Sequence, residues 1–133
     1  MLVITTKSPY AVRALAELAR RGQSTPVPIG EIARAREIPA QFLEGLFATL
    51  RRAGVLQSQR GVKGGYSFAR PPSEITVLEV VELLEGELGK DAPANGPVWT
   101  DAVEAVRRAL GETTIAEVAE REAQAGGAPM YYI

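Results

Sequence analysis

Residues 43–72 read LEGLFATLRRAGVLQSQRGVKGGYSFARPP, and the fold turns on how this stretch divides. Leu43, Leu46, Phe47 and Leu50 recur at i, i+3, i+4 and i+7, the spacing of one buried helical face. Gly54 stops that helix, because the residue past the last turn adopts a left-handed conformation most easily when it lacks a Cβ. Val55-Leu56 and Tyr66–Phe68 are β-type arms around a glycine-rich tip, and five residues between them suit a hairpin with a longer loop. Arg60 and Lys63 sit at this tip among Gly61, Gly64 and Gly65. A tip has no core to bury, so both cations are available to a partner. Two readings stand: a solvated surface hairpin, or the wing of a winged helix lying against DNA phosphates and the minor groove. Arg70-Pro71-Pro72 forms a rigid exit.

Upstream, Ile29, Ile32 and Ala33 mark a short helix ending near Glu37. Ile38-Pro39 breaks it, since a residue before proline is biased away from the helical region. A new helix begins at about Pro39 or Ala40, so two short helices and a three- or four-residue turn make a helix-turn-helix. The outer face of the second helix carries Gln41, Glu44, Gly45, Ala48, Arg51 and Arg52. Gln can pair with adenine and a carboxylate can accept from cytosine N4, so Gln41 and Glu44 suit base edges. Mid-helix glycine costs about 1 kcal/mol relative to alanine, so Gly45 has a reason: close groove approach, or packing. Arg51 and Arg52 suit both the helix dipole and phosphates. Farther upstream, Ser8 is the expected N-cap, with Pro9 at the first helical position, of a helix to about Arg21. Its apolar stripe is Tyr10, Ala11, Ala14, Leu15 and Leu18. Lys7 and this helix N-terminus could together hold a phosphate; a merely solvated lysine is the other reading.

The chain of 133 residues suits one domain, or a compact domain with an appended helical unit. It has no cysteine and no histidine, which removes disulfides, a thiol nucleophile, thiolate metal sites and the commonest general base. No catalytic residues and no metal ligands are expected. No run approaches a membrane span and the N-terminus lacks a signal peptide's apolar core, so a cytoplasmic protein without a membrane partner is expected. Net charge is −1, but residues 1–72 hold 11 Lys/Arg against 4 Asp/Glu and residues 73–133 hold 4 against 12, balances of +7 and −8. One half suits a polyanion; an ion-pair interface between the halves is the alternative.

In the acidic half, Thr76-Val77-Leu78-Glu79 reads as a capping box, followed by a stripe of Val77, Val80, Val81 and Leu84 ending at Gly86. Residues 87–97 are a loop. Trp99, Ala102, Val103, Val106 and Leu110 then share one helical face. Thr114-Ile115-Ala116-Glu117 is a second capping box, opening a helix to about Ala125, and Gly126-Gly127 releases the tail APMYYI. The stripe of Trp99, Val103, Val106 and Leu110 could close the domain's own core or form a two-fold dimer. The dimer is favoured, since symmetric DNA sites need two-fold proteins.

Taken together, TTKSPYAVRALAELA, IGEIARAREIP, FLEGLFATLRRAGVLQSQRGVKGGYSFARPP, EITVLEVVELLEG and VW before TTIAEV resemble the Rrf-two (IscR/CymR-like) winged-helix transcriptional regulators over essentially the whole length. The resemblance implies a mainly α fold with a small β-hairpin: a winged helix-turn-helix DNA-binding region over 1–72 and a helical dimerisation and regulatory region over 73–133. It implies a homodimer on palindromic double-stranded DNA, with Gln41, Phe42 and Glu44 in the base-reading region and Arg60 entering the minor groove, Lys63 supporting at phosphate. Many members ligate an iron–sulfur cluster through three cysteines in the loop before the Trp helix. That loop is cysteine-free here, so cluster ligation by the family's pattern is not expected, and no cofactor is. The end Met130-Tyr131-Tyr132-Ile133 resembles the cluster-less cysteine-metabolism-repressor (CymR-like) branch. That likeness implies control by cysteine synthase, whose active site would accept the Ile133 carboxylate, with Tyr131 and Tyr132 alongside; a tail folded onto its own dimer is the alternative. The leading expectation is a cluster-free DNA-binding repressor of cysteine or sulfur metabolism. The alternative is a protein-interaction module using the winged helix for assembly.

Overall fold

The structure is a computed structural model that describes residues 2–22, 25–62 and 64–127. Its helices are α1 (Lys7–Arg20), α2 (Ile29–Arg36), α3 (Ala40–Arg52), α4 (Val77–Glu85), α5 (Pro97–Gly111) and α6 (Ile115–Gly127). Strands β1 (Leu56–Gln59) and β2 (Gly65–Phe68) form an antiparallel hairpin pairing Leu56 with Phe68 and Gln59 with Gly65. Two short 3-10 turns, Pro72–Glu74 and Ala92–Asn95, flank α4 and its following loop. The winged helix-turn-helix expected over the first half is therefore present, and the hairpin loop is the five-residue one.

The α3 face is buried as its spacing requires: Leu43, Phe47 and Leu50 are inaccessible and Leu46 nearly so. They pack with Ala11, Ala14, Leu15 and Leu18 of α1 and Ile32 and Ala33 of α2. The α2–α3 turn is closed by Glu37 in the left-handed region (φ 54°), while Ile38 is buried and its amide donates to the Ala33 carbonyl at 2.9 Å. A left-handed non-glycine residue costs about 1 kcal/mol or more, offset here by the burial of Ile38.

The core does not stop at residue 72. Ile75, Val80 and Ile115 belong to the same cluster, and α6 packs against α1. Residue 76 pairs with residue 114 as an isolated antiparallel bridge, and the Ile115 amide donates to the Ile75 carbonyl at 2.8 Å.

Three local expectations change. Ser8 does not cap α1: the cap position is Thr6, which makes no side-chain cap bond, and Ser8 lies buried in the first turn. At α4 the box is half used. The Thr76 hydroxyl accepts from the Glu79 amide at 3.1 Å, but the Glu79 carboxylate is taken by the Arg70 guanidinium. At α6 the box is complete, with Thr114 and Glu117 bonding reciprocally. Finally, α6 runs through Gly126-Gly127 instead of releasing the chain there.

Candidate nucleic-acid interface

The outward face of α3 presents Gln41, Glu44, Gly45, Arg51 and Arg52 to solvent, with Ala48 and Thr49 half-buried between them. An ideal Cβ on Gly45 meets nothing within 4 Å. Packing against the described residues therefore does not account for this glycine. The Thr49 hydroxyl back-bonds to the Gly45 carbonyl at 3.3 Å and accepts from Arg52 at 3.3 Å, which leans that guanidinium along the helix.

Phe42 is partly buried and packs edge-on against Tyr10 of α1, ring centroids 5.7 Å apart at 81°. Arg13 lies 5.5 Å over the same Tyr10 ring and donates to the Arg36 carbonyl at 2.6 Å. This stack fixes α1 and the end of α2 against the first turn of α3. A groove of about 320 Å³ results, lined by Lys7, Gln41, Phe42, Gly45, Leu46, Thr49 and Leu84. Lys7, far from α3 in sequence, thus joins Gln41 at one opening. Thr49, absent from the residues expected at this face, lies on it because it sits one turn past Gly45.

The wing is attached to α3 by local bonds and by one distant strand. The Val55 amide donates to the Leu50 carbonyl at 3.0 Å, and Tyr66 packs edge-on against Phe47 with centroids 5.1 Å apart. Val27, in the α1–α2 loop, then pairs with Tyr66 on the open edge of β2 through bonds of 2.9 and 2.8 Å. This third segment explains Gly65, while the hairpin's own backbone explains Gly64. A Cβ at Gly65 would overlap the Val27 carbonyl group, and one at Gly64 would overlap the Gln59 carbonyl oxygen. Nothing in the local sequence announces that Val27 is the neighbour. At the tip, Arg60, Gly61 and Val62 are exposed. The Lys63 position lies outside the described residues.

Three arginines of the basic half are held in ion pairs. Arg21 pairs with Glu17 and Glu31, Arg36 with Glu17 and Glu122, and Arg70 with Glu79. Burial of Glu17 raises its carboxyl pKa, but hydrogen bonds from Arg21 and Arg36 outweigh this and hold it below the usual carboxylate value. Lys7, Arg51, Arg52 and Arg60 are exposed and form no ion pair with any described residue. Some of the charge segregation is thus consumed between the halves, at Arg36–Glu122 and Arg70–Glu79. The described cations of α3 and the wing tip are among those left over, together with Arg13, Arg20 and Arg34.

On the opposite side, Trp99 is 50% exposed and Val98 72%. Val103 is buried, packed over the backbone of Gly89, while Val106 and Leu110 are half-buried. Leu110 lines an apolar cleft of about 210 Å³ with Ile4, Val12, Val77 and Val81. Of the expected dimer stripe, Val103 is spent inside the chain, and Trp99, Val106 and Leu110 retain accessible apolar surface. Tyr131, Tyr132 and Ile133 lie outside the described residues. No helix among the described residues is long and apolar enough to cross a membrane.

Comparison with known proteins is consistent with this geometry. The Rrf2 profile, described as an iron-dependent transcriptional regulator, matches residues 4–121. The HTH-type transcriptional regulator CymR of Bacillus subtilis is 31% identical, covering 98% of this chain and 99% of its own. The solved structure of CymR, the global cysteine regulator of B. subtilis, superposes with a TM-score of 0.80 at 32% identity, covering 91% of this chain and 98% of that one. The structure of T. potens IscR gives a TM-score of 0.82 at 34% identity, covering 98% of this chain and 96% of that one. Among the described residues no grouping fits the iron in the profile's description. The chain has no cysteine or histidine, and among the described residues no three carboxylates are grouped to hold an ion.

Proposed function

The chain belongs to the Rrf2 family of DNA-binding transcriptional regulators, and we propose that it acts as a two-fold dimer repressing from a palindromic duplex. In this reading residues 1–72 bind DNA and residues 73–133 dimerise and regulate. α3 lies in the major groove with Gln41, Phe42 and Glu44 in the base-reading region, and Arg51, Arg52 and Lys7 contact phosphates. The wing follows the minor groove through Arg60, with Lys63 at phosphate. Trp99, with Val106, Leu110 and the Val103 that seats the helix, forms the dimer face. The observation that carries this reading is that Lys7, Arg51, Arg52 and Arg60, around α3 and the wing tip, are exposed and pair with no described carboxylate, while Arg21, Arg36 and Arg70 are neutralised.

The test is selection of bound duplexes from a random pool by the full chain. Enrichment of two inverted half-sites roughly one helical turn apart is expected, with binding that weakens steeply as salt rises. No enrichment even at low salt would refute the reading and favour the winged helix as an assembly module.

The regulated process is proposed to be cysteine or sulfur metabolism, without an iron–sulfur cluster. Support comes from the similarity to the global cysteine regulator of B. subtilis and from the absence of any cysteine or histidine ligand. Tyr131-Tyr132-Ile133 is proposed as the segment that docks cysteine synthase. Deleting Tyr132 and Ile133 should abolish a complex with that enzyme and leave duplex binding intact; a surviving complex overturns the docking reading.

A further inference from the structure

The N-terminus of α1 is held by a residue from the other end of the fold. Glu85, the last residue of α4, accepts from the Thr5 amide at 2.9 Å and from the buried Ser8 hydroxyl at 2.9 Å. The Thr5 hydroxyl lies 3.0 and 3.1 Å from its two carboxylate oxygens. The cap residue Thr6 contributes no side-chain bond, so this distant carboxylate supplies the anion that a helix N-terminus attracts. Lys7 lies between the two held residues, and its own amide donates to the Thr5 hydroxyl oxygen at 3.2 Å. Its side chain is exposed at the groove beside Gln41, Gly45 and Thr49, together with Leu84, the neighbour of Glu85.

A carboxylate at the edge of a surface that faces a polyanion is unfavourable unless it has a task. We propose that Glu85 is a positioning residue for DNA binding: by clamping Thr5 and Ser8 it holds Lys7 and the first turn of α1 at the correct height beside α3 for a backbone phosphate. This inference rests on the DNA-binding reading above. It makes the C-terminus of α4 a part of the DNA-binding machinery, although Glu85 contacts no DNA. Because Gly86 and the 86–96 loop follow at once, displacement of that loop would be felt at Lys7 through one side chain.

The experiment measures affinity for the selected duplex across a series of salt concentrations, for the full-length wild type and for Glu85→Ala, Lys7→Ala and the double variant. Each contacted phosphate contributes about 0.9 to the slope of log K against log salt. Glu85→Ala is expected to lose roughly tenfold in affinity and to flatten the slope by about one contact. Lys7→Ala should do the same, and the double variant no worse than either single one. Glu85→Gln keeps the acceptor for Thr5 and Ser8 and should retain the wild-type slope. Thr5→Val, an exposed change that removes one donor, should give a smaller loss in the same direction and keeps the question open to measurement if Glu85→Ala does not fold. An unchanged slope in Glu85→Ala, additive losses in the double variant, or an unaffected Thr5→Val would overturn the positioning role, as would tighter binding by Glu85→Ala. A wild type that binds no duplex refutes the DNA-binding reading itself and this inference with it.

Discussion

Replacing Gly45 with alanine should raise stability and lower DNA affinity at the same time. Gly45 lies in the middle of α3, Ala40–Arg52, on the exposed side. Glycine in a helix interior is about 0.8–1.0 kcal/mol worse than alanine, through backbone entropy and solvent exposure of the peptide. Nothing within 4 Å of an added Cβ opposes the change, so most of that difference should be recovered. For a chain of 133 residues, about 1 kcal/mol corresponds to a rise in Tm of roughly 3–5 °C. In the proposed complex the same methyl would project from the outward face of α3, between Gln41 and Glu44 on one side and Ala48 on the other. Pushing α3 outward enough to lose one bidentate base contact costs about 1–3 kcal/mol, or roughly five- to 150-fold in Kd. Thermal unfolding followed by circular dichroism reads the first effect, and fluorescence anisotropy with the selected duplex reads the second. A more stable variant with unchanged affinity would show that Gly45 does not serve groove approach. A less stable variant would refute the claim that the site is sterically open.

Other substitutions probe the supports of the same surface. Gly65→Ala adds a Cβ that overlaps the Val27 carbonyl at a φ of +148°, so the two Val27–Tyr66 bonds must break; a loss of about 3–5 kcal/mol in urea unfolding is expected, and a loss below about 1 kcal/mol would refute the close approach. Arg36→Met leaves Glu122 unpaired at a site where the Arg36 side chain is only 14% exposed. It should cost about 2 kcal/mol, between a surface pair and a fully buried one, with an unchanged Tm as the contrary result. Acid should destabilise the protein through two carboxylates. At Glu85 burial raises the pKa, but bonds from Ser8 and Thr5 outweigh it, so Glu85, like Glu17, lies below the usual value of 4.5. Groups depressed on folding contribute fully above that unfolded value and lose their contribution as pH falls through their folded values. Stability measured by unfolding from neutral pH downward should therefore fall below about pH 4.5, with a shallower decline in Glu17→Gln; identical pH profiles would refute the linkage.

Much of the fold is legible because it is local. The α3 core face follows from four residues at helical spacing, helix ends follow from Gly22, Gly54 and Gly86, and the hairpin follows from β-type arms around a five-residue glycine-rich loop. Each depends on backbone geometry within about one turn. Where the sequence reading departs from the structure, a distant group wins a local competition. Ser8 gives up capping for Glu85, 77 residues away. Glu79 leaves its half of the capping box for Arg70. Val103 drops out of the exposed stripe because the Gly89 backbone lies beneath it.

By itself, then, the sequence determined the winged helix-turn-helix, the face of α3 turned outward and the segregation of charge, since periodicity, glycine conformation and ionisation are properties of short segments. Tertiary structure alone decided which arginines remain unpaired, why Gly65 must be glycine, and that Glu85 holds the N-terminus of α1. Those depend on loops closing to bring residues up to 86 positions apart within bonding distance, and no local pattern encodes the neighbour that arrives.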